Sequence, residues 1–316
     1  METEILTPKN ETEWLALRAE NLNSTEIPAL FDLSPYMTKF ELWHRHKENI
    51  VVEFEENART LWGKRLQNSI AQGIADDQGW EVSEMKEYIR CRQLRIGSSF
   101  DFSINKWDRS PYSDWPRLTQ EGILEIKNVD FLQFRDKWTK NDDGTFEAPA
   151  HIELQVQHQL MLSGRSYAYI GALIAGNDIK LIRREADPEI HAAIQDRAAS
   201  FWHSIDTNKP PEPDFSKDAD IISKLYGYAE PGKTLTTDSD DLLSLVSQYR
   251  EAGRQATEYE NHKKAIKAQI LSIIGDVERV EHPLFTISAK TSPPTFVNAF
   301  ERAAFRNFRV TERKTK

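Results

Sequence analysis

Apolar positions along the chain follow two rhythms, and the change from one to the other divides it. Over residues 12–21, Trp14, Leu15 and Leu17, with Leu22 just beyond, mark one face of a helix, with Thr12 as the expected N-cap. A second helix start is expected at Ser24-Thr25-Glu26, running through Ile27, Leu30 and Phe31. A third helix is expected over 35–47 with Pro35 in its first turn. A longer one fits residues 55–78, where Leu61, Leu66, Ile70 and Ile74 recur at helical spacing. From Trp80 the period becomes two. Strands are expected over 80–82, 88–94, 98–104, 122–129, 167–174 and 179–184, the last two joined by a hairpin at Gly176-Asn177. Residues 105–120, with Pro111 and Pro116, read as a loop. Helices over 152–162, closed by Gly164, and over 188–204 complete the pattern. It predicts a central mixed sheet, built mainly from antiparallel neighbours and flanked by helices: an α/β (α+β) fold.

The stretch Lys209 to Pro213 cannot continue a helix and marks a boundary. Beyond it, residues 240–274 carry the longest helical pattern in the chain. Its apolar seam alternates in steps of three and four from Leu242 to Ile273 and is interrupted only by Lys263. Gly275-Asp276 ends it, a short hairpin is expected over 277–288, and the tail over 302–316 is basic. The expected organisation is a main domain over 1–228 and a C-terminal helical arm with a small hairpin over 229–316.

Composition narrows the classes. With 39% hydrophobic residues, eight Trp and fifteen Phe, the 316-residue chain has ample material for a core. No apolar run of about 18 residues exists, so no membrane span is expected. The acidic, polar opening METEILTPKNETEW lacks the features of a signal peptide. The single cysteine, Cys91, excludes a disulfide framework, a four-cysteine zinc site and a cysteine-ligated iron–sulfur cluster, and a reducing, cytoplasmic setting is expected. A net charge of −9 argues against a protein that coats DNA through bulk charge. It is compatible with an enzyme that holds metal ions on carboxylates. No P-loop and no G-x-S-x-G elbow occur, and His44 and His46, two residues apart, do not share a helix face.

The informative cluster is Asp101 with Glu125-Ile126-Lys127. Alternation along a strand sends Glu125 and Lys127 to one face and Ile126 into the core. Asp101 is expected on the preceding strand, so pairing of the two strands would bring all three polar groups together. Two carboxylates beside an ammonium group suit metal-assisted phosphodiester hydrolysis: the oxygens bind hard cations and the lysine orients or deprotonates the attacking water.

The order of motifs resembles a known family. Trp14-x3-Arg18 with Ser24-Thr25-Glu26 comes first, then Gly63-Lys64-Arg65-Leu66-Gln67 and Gly97-Ser98-Ser99-Phe100-Asp101. Leu124-Glu125-Ile126-Lys127 follows, and after it Gln155-Val156-Gln157. Over roughly residues 10 to 205 this succession resembles the phage lambda-type exonucleases, or YqaJ-type viral recombinases, of the PD-(D/E)xK nuclease superfamily. The resemblance implies a restriction-endonuclease-like core with Asp101 and Glu125 as metal ligands, the Ile126 carbonyl as a further ligand and Lys127 as the catalytic lysine. It implies that Arg18, with Ser24 or Thr25, binds the 5′-phosphate, and that Gln155 or Gln157 faces the active site. Two Mg²⁺ ions are implied, with Mn²⁺ able to substitute. The implied activity is digestion of one strand of linear duplex DNA from its 5′ end, leaving a 3′ overhang for phage-type recombination. A single-strand annealing protein is the implied partner, and a homo-oligomeric ring, such as a trimer, the implied assembly.

Two departures stand out. Gln67 occupies the position where the family commonly has a metal-binding glutamate, and Phe100 replaces the proline before the first aspartate. Gln67 supports the rival reading, a non-catalytic protein on a degenerate nuclease fold that binds DNA ends or a partner. The intact Asp101, Glu125 and Lys127 oppose it.

Overall fold

The computed structural model describes residues 1–48, 58–107 and 121–293. The chain forms two compact units, Met1–Ile221 and Ile222–Lys316. The first opens with β1 (Glu4–Leu6), α1 (Glu11–Ala19), β2 (Leu22–Asn23), a 3₁₀ turn (Ile27–Phe31), α2 (Lys39–Lys47) and α3 (Ala58–Gln78). Five strands follow: β3 (Trp80–Glu84), β4 (Tyr88–Cys91), β5 (Ile96–Ser99), β6 (Phe102–Trp107) and β7 (Gly122–Val129). Then come α4 (Phe131–Lys137), β8 (Thr139–Lys140), β9 (Phe146–Glu147), α5 (Ala150–Ser163), β10 (Tyr167–Ile174), β11 (Asp178–Glu185) and α6 (Pro188–Asp206).

Two larger sheets result. The five-stranded one runs β11-β10-β7-β6-β3 and is mixed: β7 and β10 are parallel, the other neighbours antiparallel. The four-stranded one runs β1-β4-β5-β2. Ile70, Ala71, Ile74 and Ala75 of α3 cluster with Leu124, Ile126, Phe102 and Ile104 on one face of the larger sheet. On the other side α5 packs against β4 and β5 of the smaller sheet and β10 of the larger. Every residue from Leu154 to Leu162 is therefore buried. A helix enclosed on all sides must find partners for its polar groups inside the protein.

The observed elements correct several expectations. Asn10, not Thr12, caps α1, because its extended backbone lets its side chain accept the Glu13 N–H. The segment after Ser24 tightens into a 3₁₀ turn. The next helix starts at Lys39 with Thr38 as its cap, so Pro35 lies outside it. The expected strand over 98–104 is two strands in different sheets, and Asp101 lies in the link between them, not on a strand. The hairpin between β10 and β11 enters the left-handed region one residue early, at Ala175 (φ 51°) and Gly176 (φ 81°). Residues 55–57 of the long helical pattern and most of the 105–120 loop lie outside the described residues.

Gly97 of β5 shows how tightly the smaller sheet meets the α1 end. A Cβ there would lie 2.2 Å from the Tyr88 hydroxyl, which donates at 3.0 Å to Asn23 Oδ1. Gly97→Ala is expected to destabilise the protein by about 1–3 kcal/mol, the usual cost of overpacking a core, as measured by urea denaturation. An unchanged midpoint would mean that Tyr88 can move aside freely.

In the second unit, α8 (Asp240–Ile274) is capped by Ser239 and followed by the hairpin β12 (Arg279–His282) and β13 (Phe285–Ser288). No α8 side chain is buried. The short helix α7 (Ala219–Leu225) spans the boundary between the units in sequence. The basic tail over 302–316 lies outside the described residues. No described helix is long and apolar enough to cross a membrane.

Candidate active site

Strand β7 carries the centre of the site. Ile126 joins the cluster under α3, while Glu125 and Lys127 point to the face where α5 lies. Glu125 is only 3% exposed, and both of its oxygens accept hydrogen bonds. Lys127 Nζ donates to Oε1 at 2.6 Å and Gln155 Nε2 to the same oxygen at 2.5 Å, while Gln159 Nε2 donates to Oε2 at 2.8 Å. Lys127 Nζ also donates to Gln155 Oε1 at 3.1 Å.

Asp101 reaches this group from the link between β5 and β6. Its Oδ2 accepts the Ile126 N–H at 2.8 Å, just past the point where the β6–β7 ladder ends at Phe102 opposite Leu124. The Gln67 side chain, from α3, hydrogen-bonds the same carboxylate. Burial pushes the Asp101 carboxyl up to about 7 and the Glu125 charge pushes the same way; Lys127, the Ile126 N–H and Gln67 work against the rise. Burial also works against the Lys127 ammonium, yet Glu125 and Asp101 together outweigh it, so the group is held above its ordinary range. Lys127 is thus a fixed cation in the protein alone.

Two carboxylates sharing a desolvated position repel each other unless a proton or cation relieves them. The carboxylate donors brought together here, Asp101 and Glu125, are hard oxygens. Gln159 Oε1, buried and without a hydrogen-bond partner among the described residues, adds another. No third His, Cys, Asp or Glu joins them among the described residues. This set fits Mg²⁺ better than zinc.

Arg18 stands near by, and a chain of contacts links it to Glu125. Its guanidinium lies 4.7 Å over the Trp14 ring, and Trp14 Nε1 donates to Ser99 Oγ at 2.7 Å. Gln159 in turn donates to the Ser99 carbonyl at 3.2 Å. Arg18 Nη2 donates to Thr25 Oγ1 at 3.4 Å; Thr25 is exposed, whereas Ser24 is buried. Asn23 shapes this loop, its amide donating to the carbonyls of Arg18 and Asn21 at 2.9 Å each.

The glutamines divide differently from expectation. Gln155 and Gln159 are one turn apart and share the face toward Glu125. Gln157 points the other way, donating to the Glu185 carbonyl at 2.8 Å and accepting the Asp187 N–H at 3.0 Å. It belongs to the junction of β11 and α6, beside a cavity of about 1220 Å³ whose lining includes Tyr169 and Arg184 but none of Asp101, Glu125 and Lys127. The i, i+4 spacing was the available signal for Gln159. Tyr36 and His151 carried no such signal. Their rings meet edge to face at 5.6 Å between centroids, and burial, with the Lys127 charge adding to it, holds the His151 imidazole below its ordinary range.

No curated protein matches the chain in sequence. Among solved structures, an alkaline exonuclease from Laribacter hongkongensis is similar at 17% identity, over 68% of this chain and 99% of that one, with a TM-score of 0.47. A phage-related exonuclease from Haemophilus somnus 129PT is similar at 15% identity, over 64% and 89%, with a TM-score of 0.38. The shutoff and exonuclease protein of Kaposi's sarcoma-associated herpesvirus is similar at 13% identity, over 68% and 74%, with a TM-score of 0.34. Residues 13–166, the span holding Arg18, Asp101, Glu125, Lys127 and Gln159, match the model of one family: the chain carries a YqaJ-like viral recombinase domain.

Proposed function

We propose that the chain is a divalent-metal-dependent exonuclease that digests one strand of linear duplex DNA from its 5′ end and leaves a 3′ overhang for recombination. The observation that carries this reading is the meeting of Asp101, Glu125 and Lys127, with Lys127 Nζ 2.6 Å from Glu125 Oε1. Asp101, Glu125 and the Ile126 carbonyl would hold the cations, which when bound neutralise charge on the phosphate under attack. Lys127 keeps a positive charge beside the carboxylates and orients a water by hydrogen bonding. Gln155 and Gln159 fix the Glu125 carboxylate so that its position does not depend on the nucleic acid. Arg18, with Thr25, would bind the terminal 5′-phosphate, and an annealing protein would receive the exposed strand. The direct test is digestion of end-labelled linear duplex with and without Mg²⁺, comparing 5′-phosphoryl with 5′-hydroxyl ends. Digestion that ignores Mg²⁺ would defeat the reading.

Arg18→Ala is expected to slow digestion of 5′-phosphorylated ends about tenfold or more while leaving 5′-hydroxyl ends little changed, because the guanidinium supplies two parallel donors to phosphate. Equal losses on both ends would make Arg18 structural.

Gln67→Glu replaces an amide that hydrogen-bonds Asp101 with a third carboxylate. The metal-free protein is expected to lose about 1–3 kcal/mol, since an acceptor then faces an acceptor. The Mg²⁺ concentration for half-maximal rate should fall. A variant that matches the parent in both measurements would take Gln67 out of the site.

A further inference from the structure

We propose that α8 pairs antiparallel with α8 of a second copy of this chain. The helix runs unbroken for 35 residues with no buried side chain, and its seam is open: Leu245 is 61% exposed, Tyr259 74% and Ile273 83%. Its seam positions are self-complementary. In an antiparallel pair the residues facing each other across the seam sum to a constant. Setting Leu242 against Ile273 of the second copy places Leu245 against Ile270 and Tyr249 against Ile266. The same register sets Ala256 against Tyr259 and Ala252 against Lys263, so each small seam residue meets a large one. A parallel pair would instead stack each alanine on itself and Lys263 on Lys263, leaving gaps and a like-charge contact.

A second observation points the same way. Gly253 sits inside the helix, where glycine weakens it, and a Cβ there would meet nothing within 4 Å in its own chain. Gly253 flanks the seam beside Ala252, and in the antiparallel register the nearest flanking residue of the second copy on that side is Glu260, which lies 3.6 Å from Lys263 of its own helix. Ala252 and Gly253 thus leave the space that the Lys263–Glu260 pair fills. The seam repeats this match on both sides of the midpoint between residues 257 and 258, as a two-fold contact requires. The seam runs about 50 Å, so the contact would extend along the whole helix.

The test uses the full chain. Leu242→Cys and Ile273→Cys variants are oxidised mildly, separately and mixed in equal amounts; the parent, whose one cysteine is buried, is the blank. A covalent dimer is expected in the mixture and in neither variant alone. Leu245→Glu combined with Ile270→Glu, two exposed positions that oppose each other in the pair, should halve the weight-average mass in sedimentation without loss of helicity. Cross-linking of Leu242→Cys with itself would overturn the antiparallel register. No cross-link in the mixture, with no mass change in the double glutamate variant, would show that the seam serves its own chain or a different protein.

Discussion

Replacing Lys127 by alanine is expected to lower the rate of duplex-end digestion by about 10²–10³-fold, with little effect on folding or on the binding of DNA ends. The strand that carries it is held by backbone pairing with β10, in which Lys127 lies opposite Ala172. Loss of the ammonium leaves Glu125 with its two glutamine donors, and with that cation gone the Asp101 carboxyl beside it keeps its proton more firmly, which relieves the repulsion. What disappears is the fixed positive charge at the point where charge develops on the phosphate. Asp101→Ala should give a similar loss of rate with a different companion effect. It removes the acceptor of the Ile126 N–H, and a buried donor left alone costs about 1–3 kcal/mol. Denaturation curves and rates on end-labelled DNA separate the two variants. Parental rates in purified Lys127→Ala would remove this lysine from the chemistry.

The second large effect is on pH. The Asp101 carboxyl stands at about 7 in the folded protein, against about 4 for an unfolded aspartate. The native state therefore holds an extra proton between those values, and the stability of the metal-free protein falls as pH rises through that window. A divalent cation favours the ionised form and reverses the trend. At limiting Mg²⁺, digestion should accelerate about tenfold per pH unit up to about 7 and then level off, because a single proton must leave. Binding of Mg²⁺ measured by calorimetry below pH 7 should release close to one proton. A rate independent of pH between 5 and 7 would show that Asp101 is already ionised without metal.

Where local pattern and tertiary structure agreed, the sequence could be read well. The alternation of Glu125, Ile126 and Lys127 assigned their faces, Gly164 closed α5, and the seam of α8 gave its length within the residues observed. The failures have physical causes. Residues 99–104 alternate polar and apolar without a break, with no glycine or proline between Ser99 and Phe102 to announce a change of sheet. The pattern therefore predicts one continuous strand with Asp101 on it. Helix α4 and the small β8–β9 hairpin are short, with no periodic face long enough to register. Gln155 reaches Glu125 as the resemblance implies, but a helix buried all round has no polar side by which the pattern could add Gln159 and exclude Gln157. Only the destinations of the side chains, Glu125 for Gln155 and Gln159 and the Glu185 carbonyl for Gln157, distinguish them.

The position of Asp101 between two sheets has a consequence for how the protein acquires its site. Glu125 lies on β7, and Asp101, just ahead of β6, is tied to the same sheet: its carbonyl accepts the Met85 N–H at 3.0 Å and its carboxylate the Ile126 N–H at 2.8 Å. The hydrogen bond from Ile126 to Asp101 takes over where the last rung of the β6–β7 ladder ends. Completing the edge of that ladder and assembling the carboxylates are thus one folding event. A nascent chain in which β6 has not yet paired with β7 therefore holds no such pair of carboxylates, however complete its helices are.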